Sequence, residues 1–163
     1  MNDMKQFDIE SFFRHLTEDE KKLVTERMHK ESFRIGEYVF KEDDTGERLY
    51  HVEKGAVSLI KSIGADLDKT VLIAPEGSIF GEFSFMDASR RSASALVTVD
   101  AVLLGLDRKD FDALVQQYPA IGTRLYNNLL VTLIQRVRRT SEAHWKTIEN
   151  AIKNEKLSNP DVA

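Results

Sequence analysis

The sequence predicts an α+β domain: a helical start, an all-β roll or barrel in the middle, and a long helix at the end. Three observations carry this. Apolar residues cluster with helical spacing over the first thirty positions. From Phe33 they change to short strand-like runs punctuated by Gly36, Gly46, Gly55, Gly64 and Gly77. After Leu106 the helical spacing returns. A chain of 163 residues is one domain of ordinary size, able to bury about two-thirds of its extended surface without staples.

The elements follow in order. Phe7, Ile9, Phe12, Phe13 and Leu16 form an apolar cluster. Thr17 and Glu20 stand at capping-box spacing ahead of Leu23, Val24 and Met28, so a helix starts there. Strands are expected at Tyr38–Lys41, Leu49–Val52, Ala56–Lys61, Thr70–Ala74, Ala93–Val99 and Ala101–Leu106, with no room for helices between those before Gly81. Asp107 is placed to cap a short helix carrying Phe111, Leu114 and Val115, which Tyr118-Pro119 ends. A long helix is expected from about Ala120 to beyond Ala151. The expected division is a helical segment at 1–31, the roll at 32–107, helices at 108–157 and a frayed tail at 158–163.

Composition excludes several functions. Without cysteine there is no disulfide scaffold, thiolate nucleophile or cysteine-ligated metal. His15, His29, His51 and His144 are scattered, with no His-x-His pair. Neither a Gly-x-Ser-x-Gly elbow nor a Gly-rich Lys-Ser/Thr loop occurs. The chain therefore reads as a non-enzyme with no catalytic residues, metal or resident cofactor. No apolar run is long enough to span a bilayer, and Met1–Glu10 lacks the apolar core of a signal peptide, so a cytoplasmic location is expected. The net charge of −4 argues against a nucleic-acid coat. Residues 124–146 depart from it, with Arg124, Arg136, Arg138, Arg139 and Lys146 against Glu142.

On the last helix Leu130, Ile134, Val137, Ser141, His144, Ile148 and Ala151 fall at spacings 4, 3, 4, 3, 4, 3, a heptad seam. One reading is a helix lying on its own domain. A second apolar row, Leu125, Leu129 and Leu133, gives the helix more apolar surface than one contact uses, which favours a homodimer through the seam.

The residues richest in chemistry run from Gly77 to Ala95. Gly81 marks a close bend, and Glu82 to Met86 can form a single helical turn whose amides favour an anion. Arg91 offers a guanidinium fork that fits a phosphate, and Ser92 a hydroxyl beside it. Glu82 cannot help to bind phosphate, but it can accept from a sugar hydroxyl. Together they ask for a phosphate next to a ribose. The plain alternative is a surface salt bridge between Glu82 and Arg91.

Phe80-Gly81-Glu82-Phe83-Ser84-Phe85 followed by Arg91-Ser92-Ala93 resembles the phosphate-binding cassette of the cyclic nucleotide-binding domains. That family includes the catabolite activator protein, kinase regulatory subunits and cyclic-nucleotide-gated channels. Phe33-x-x-Gly36, Leu49-Tyr50-x-Val52-x-x-Gly55-x-Val57, Pro75-Glu76-Gly77 and Asp110-Phe111 extend the resemblance across most of the chain. It implies an antiparallel β-roll, a jelly-roll-like double-stranded β-helix, with N-terminal helices and a long C-terminal helix. It also implies that Glu82 accepts from the ribose 2′-hydroxyl near the Gly81 amide. Arg91 pairs with the exocyclic phosphate oxygens, helped by Ser92 and the Ala93 amide. Thr140 and Ser141 look like the place where the catabolite activator protein contacts the purine, its serine reaching over from the other subunit.

Arg90 departs from the proline common in eukaryotic members and adds a second cation near the phosphate. Ser84 replaces the usual Ala or Gly, and Asp43 stands where an early turn often has glycine. Too few residues follow Ser141 for a helix-turn-helix, so a stand-alone module without DNA binding is expected. The implied function is a sensor of cyclic AMP or cyclic GMP that signals to an unidentified effector protein through its C-terminal helix. The alternative is a ligand-silent roll that serves as a dimerisation scaffold.

Overall fold

The computed structural model describes residues 12–62 and 68–158. Phe7, Ile9, Gly64 and the tail from 159 onward lie outside the described residues. The chain divides into two compact units, one up to Asn128 and one from Leu129.

In the first unit, α1 (Glu18–Thr25) begins with the expected capping box. The Thr17 amide donates to Glu20 Oε2 at 2.9 Å, and the Glu20 amide donates to Thr17 Oγ1 at 3.3 Å. Phe12 to His15 form a turn, not the helix expected of the first thirty residues. Asn128 holds that turn by donating to the carbonyls of Phe12 (2.9 Å) and Arg14 (2.8 Å).

The roll is one six-stranded antiparallel sheet made of β1 (His29–Phe33), β2 (Tyr38–Phe40), β3 (Arg48–Ser62), β4 (Asp68–Pro75), β5 (Ile79–Phe80) and β6 (Ser94–Asp107). Its spine is the pair β3 and β6, each more than twice as long as an average strand. Each spine strand serves two short ones. β1 pairs the end of β6 and β2 its beginning, while β5 pairs the start of β3 and β4 its end. Register shifts between Val52 and Val57 bend the spine and let one sheet curl around its own core. That core holds Tyr50, Val52, Val57, Phe80, Val97 and Leu103.

Two expectations need correction here. The segments Leu49–Val52 and Ala56–Lys61 are one strand, as are Ala93–Val99 and Ala101–Leu106. Gly55, taken for a turn, is a bulge residue with φ +90°, and a Cβ there would lie 2.3 Å from the Asp100 carbonyl oxygen. The chain therefore bends without leaving its ladder. The second correction is that the sheet starts at His29, inside the segment 1–31 expected to be helical. His-Lys-Glu-Ser-Phe carries little strand signal; its place is set by backbone pairing from His29↔Gly105 to Phe33↔Ala101.

After the roll come α2 (Glu82–Asp87, set between β5 and β6), α3 (Arg108–Gln117) and α4 (Pro119–Ser158). Asp107 precedes α3 but makes no side-chain cap. Its carboxylate instead takes Arg48 Nε at 2.7 Å and Nη2 at 3.0 Å, a charge-assisted pair stronger than a cap bond. No helix among the described residues is long and apolar enough to cross a membrane.

His51 stands edge-on to Phe13 with ring centroids 5.1 Å apart, its Nδ1 buried without a partner among the described residues. Desolvation holds its pKa below the ordinary histidine value, with the Glu53 charge opposing. The unfolded chain thus takes up the proton first as pH falls, and stability declines from about pH 6.5 down through the folded-state pKa. Denaturation midpoints measured between pH 7.5 and 5.5 should fall, and His51→Leu should remove part of that slope. An unchanged slope in the variant would assign it to other groups.

Candidate functional site

The bend before α2 puts Gly81 at φ +79°, a left-handed conformation that glycine adopts without strain. Glu82 opens the helix and is buried, as are Ser84 and Phe85. Phe80 stacks on Tyr50 at 5.2 Å and 11°, closing the roll beneath the bend. Phe83 points outward, 43% exposed.

Arg91 comes back over this turn. Arg91 is itself buried, only 4% exposed. Its Nη1 donates to the Gly81 carbonyl (3.1 Å) and to Ser84 Oγ (2.7 Å), and Nη2 donates to the Arg48 carbonyl (2.9 Å). The plane lies over the Phe40 ring, 4.1 Å from its centroid, with Tyr50 at 6.0 Å. Neutral groups do the pulling because β2, β3 and α2 converge there. Both Glu82 and Arg91 are buried, which removes the alternative of a surface salt bridge.

No carboxylate forms an ion pair with Arg91 among the described residues. Burial pulls its pKa below the usual arginine value, while Tyr50, Asp44 and Glu82 act the other way. A guanidinium stays charged through any such shift. The charge is thus held by dipoles and ring faces, with carboxylates acting only at longer range. Nε is buried and has no acceptor among the described residues. Nη2 makes a single bond, so a second N–H remains on that nitrogen. Nε–H and Nη2–H border one edge of the group, the fork that grips a carboxylate or phosphate oxygen pair.

That edge faces Gly46. A Cβ at Gly46 would lie 3.0 Å from Nη2 and 3.3 Å from Nε. The segment around it is tied to the cassette through its main chain. The Asp43 amide donates to the Arg91 carbonyl and the Arg91 amide to the Asp44 carbonyl, both at 2.9 Å. Arg90 donates to the Asp43 carbonyl at 2.7 Å. Lys61 pairs with Glu42 at 3.0 Å and donates to the Ser92 carbonyl at 3.1 Å. Sequence reasoning took Gly46 for turn punctuation and gave no role to Phe40, Tyr50 or the Arg48 carbonyl. Their part depends on approach between distant segments, which leaves no local pattern.

Of the remaining expected residues, Ser92 is exposed and Ala93 buried beside Arg91. Thr140 and Ser141 are exposed on α4 in the second unit, and Thr140 Oγ1 donates to the Arg136 carbonyl one turn back at 3.0 Å. Among the described residues His29, Asp107 and Asp110 bring possible ligand atoms within 4.8 Å of one another. Both Asp107 oxygens are already held by Arg48, which leaves a poor cation site.

Residues 30–118 match the family model of the cyclic nucleotide-binding domain. The chain belongs to that family. Relatives of this cyclic nucleotide-binding domain include the cyclic AMP receptor protein of Thermus thermophilus, 32% identical over 77% of this chain and 56% of the relative. A cAMP-dependent protein kinase regulatory subunit of Blastocladiella emersonii is 30% identical over 72% of this chain and 29% of the relative. The chain thus spans about half or less of the length of these curated relatives. Among solved structures, the Thermus thermophilus catabolite activator protein superposes with TM-score 0.75 at 29% identity, covering 85% of this chain and 63% of that one. The β-roll with its long C-terminal helix is the fold of these neighbours, which include a cyclic nucleotide-binding domain from Methylobacillus flagellatus at TM-score 0.76 and 24% identity, over 80% of this chain and 74% of that one.

The bend of this domain depends on a bare Gly81, since a Cβ would sit 2.7 Å from Arg91 Nη1 and 3.1 Å from the Arg48 carbonyl. Gly81→Ala should lower stability in urea by about 1–3 kcal/mol through backbone strain. A variant as stable as the parent would show that the left-handed bend is not needed.

Proposed function

We propose that the chain is a regulatory module that takes a cyclic purine nucleotide, cyclic AMP or cyclic GMP, at the α2 cassette and reports it to an effector protein through α4. The observation that carries this is Arg91: buried, charged, and with the Nε/Nη2 edge lacking an acceptor. Leaving such a charge without a counterion costs several kcal/mol, and a bound anion offsets that cost. A cyclic phosphodiester brings one negative charge and two exocyclic oxygens, which the fork matches. Buried Glu82, which acts on Arg91 electrostatically, serves as acceptor for the ribose 2′-hydroxyl next to the Gly81 amide. Ser92 and the Ala93 amide support the phosphate, and Arg90 adds positive charge at the rim. Thr140 and Ser141 are the candidates for the purine. No bond is made or broken in this reading; the site binds.

Transmission is supported by how α2 is held. Arg108, the first residue of α3, donates to the carbonyls of Phe85 (2.8 Å) and Met86 (3.3 Å) at the end of α2. Asp112 holds the same guanidinium at 2.9 Å. Phe85 meets Phe111 edge-to-face at 5.2 Å, and Phe111 meets Tyr126 of α4 at 4.9 Å. A ligand that draws Arg91 away from Gly81 and Ser84 moves the helix those groups belong to, and α3 and the start of α4 with it. Coupling of this kind amounts to about 1–3 kcal/mol. The exposed Leu130, Ile134 and Val137 support self-association through the seam that continues over Ser141, His144 and Ile148.

Thermal unfolding with either nucleotide tests the reading. At about 100 times its dissociation constant a ligand should stabilise the parent by about 2.7 kcal/mol. Arg91→Lys keeps the charge but loses the fork and part of the bonding to Gly81, Ser84 and Arg48, so it should melt lower than the parent yet still fold, and lose most of the ligand shift. No shift in the parent with either nucleotide at millimolar concentration would assign the roll a scaffolding role instead.

A further inference from the structure

A groove of about 370 Å³ opens on the first unit and shares no lining residue with the cassette. Its walls take Phe33, Arg34 and Glu37 from the end of β1 and the turn after it, Lys54 from β3, and Asp100 and Ala101 from β6. Ala101 belongs to the core of the roll and Phe33 packs against that core, so apolar surface lies among four charged groups. The bend of the spine shapes this place. Lys54 sits between two register shifts of β3 against β6, and Gly55 follows at φ +90°. A bulge re-aims the side chains beside it.

The four charges are not used alike. Glu37 Oε2 accepts from the Arg34 amide at 2.7 Å, and Asp100 Oδ1 accepts from the Ile35 amide at 2.8 Å. Both carboxylates are thus engaged in fastening the turn between β1 and β2. The Arg34 guanidinium and the Lys54 ammonium form no ion pair among the described residues. Two large apolar side chains adjoin the groove, Ile35 at 66% exposed and Val99 at 55%. The bond from the Ile35 amide to Asp100 brings Ile35 beside the residue that follows Val99. Neither lines the groove itself, so a small molecule held within it leaves both in water. A length of polypeptide that runs through the groove and past its edge covers them.

We infer that this groove is a docking site for an acidic segment of a partner protein, whose carboxylates pair with Arg34 and Lys54 and whose apolar side chain covers Ile35 and Val99. Charge complementarity selects the sign. A basic segment would meet two unpaired cations and two carboxylates that already hold amides; an acidic one meets two cations with nothing else to bind. Glu37 and Asp100 then set its register, because they repel a carboxylate placed out of step. Exposed ion pairs are individually weak, so the contact is weak and fades with salt. It lies wholly on the roll, and needs neither α4 nor a nucleotide at the cassette.

Proton–nitrogen correlation spectra of the full chain test this during titration with the acetylated peptide Glu-Asp-Leu-Glu-Asp, its Gln-Asn-Leu-Gln-Asn counterpart, and succinate. The acidic peptide should move the amides of Phe33, Arg34, Lys54 and Ala101, and the neutral one should bind at least tenfold more weakly. Arg34→Glu combined with Lys54→Glu should also weaken the acidic peptide at least tenfold. Lys109→Glu, on α3, should change little. All three positions are exposed, so the fold is kept, and the spectra check it. Ile35→Ser should weaken the peptide and leave succinate unaffected. No movement at these amides with millimolar peptide, movement confined to the cassette, or an equal loss from Lys109→Glu would overturn the inference. Succinate binding as tightly as the peptide would assign the groove to a small dicarboxylate and overturn the protein segment. The nucleotide reading stands or falls separately.

Discussion

A guanidinium buried without a carboxylate in contact is the constraint around which the rest of this domain is arranged. Arg91 needs acceptors where strands would otherwise pack apolar side chains, and it finds them in the carbonyls of Gly81 and Arg48 and in Ser84 Oγ. Each comes from a different place: the bend, the start of β3, and α2. The faces of Phe40 and Tyr50 complete the lining. Bare backbone at Gly81 follows from the same need, because a Cβ there would lie 2.7 Å from the guanidinium, and one at Gly46 would crowd it at 3.0 Å. The arrangement keeps a charge only partly compensated, which costs some stability.

How much of this was legible in the sequence depends on whether a feature is local. The capping box of Thr17 and Glu20 lies within four residues and is found as read. The turn from Glu82 and the return of Arg91 lie within ten, and their order alone raised the phosphate reading. Gly55 misled because a turn glycine and a bulge glycine look alike; only the nearness of Asp100 on β6 tells them apart. Polar β1 was invisible because its place comes from main-chain pairing to β6, and the pattern of its own side chains says little. The burial of Arg91 was hidden for a related reason. An arginine in a loop reads as solvated, and the loop around Asp43 that covers it is held by main-chain bonds no side-chain pattern announces.

The arginines show why charge alone could not have picked out the site. Arg48 is paired by Asp107 and Glu31, and that pairing holds its pKa above the ordinary arginine value. Arg108 is paired by Asp112 and held above its ordinary value too. Both are fasteners whose donors are spent on the fold. Arg91 differs in kind: its pKa moves downward, and the cause is desolvation. Among groups of one chemical type, the one placed where its charge is least compensated is the one suited to a ligand that brings the missing charge.

The fasteners also determine how the cassette is tied into the fold. Arg48 gives its carbonyl to Arg91 while its own guanidinium anchors Asp107, the residue just before α3. Arg108 fixes the far end of α2 to α3. The cassette is therefore gripped at two points that both lead to α3, one through β3 and one through α2. Two of the three acceptors of Arg91 belong to the bend and its helix, and the third to β3. The β3 side is anchored by Arg48, which pairs with both Glu31 and Asp107. Phe85, Phe111 and Tyr126 continue that grip edge-to-face from α2 to the base of α4. A packed aromatic contact of this kind has few alternative arrangements, so the end of α2 and the base of α4 are held in one register by the same rings.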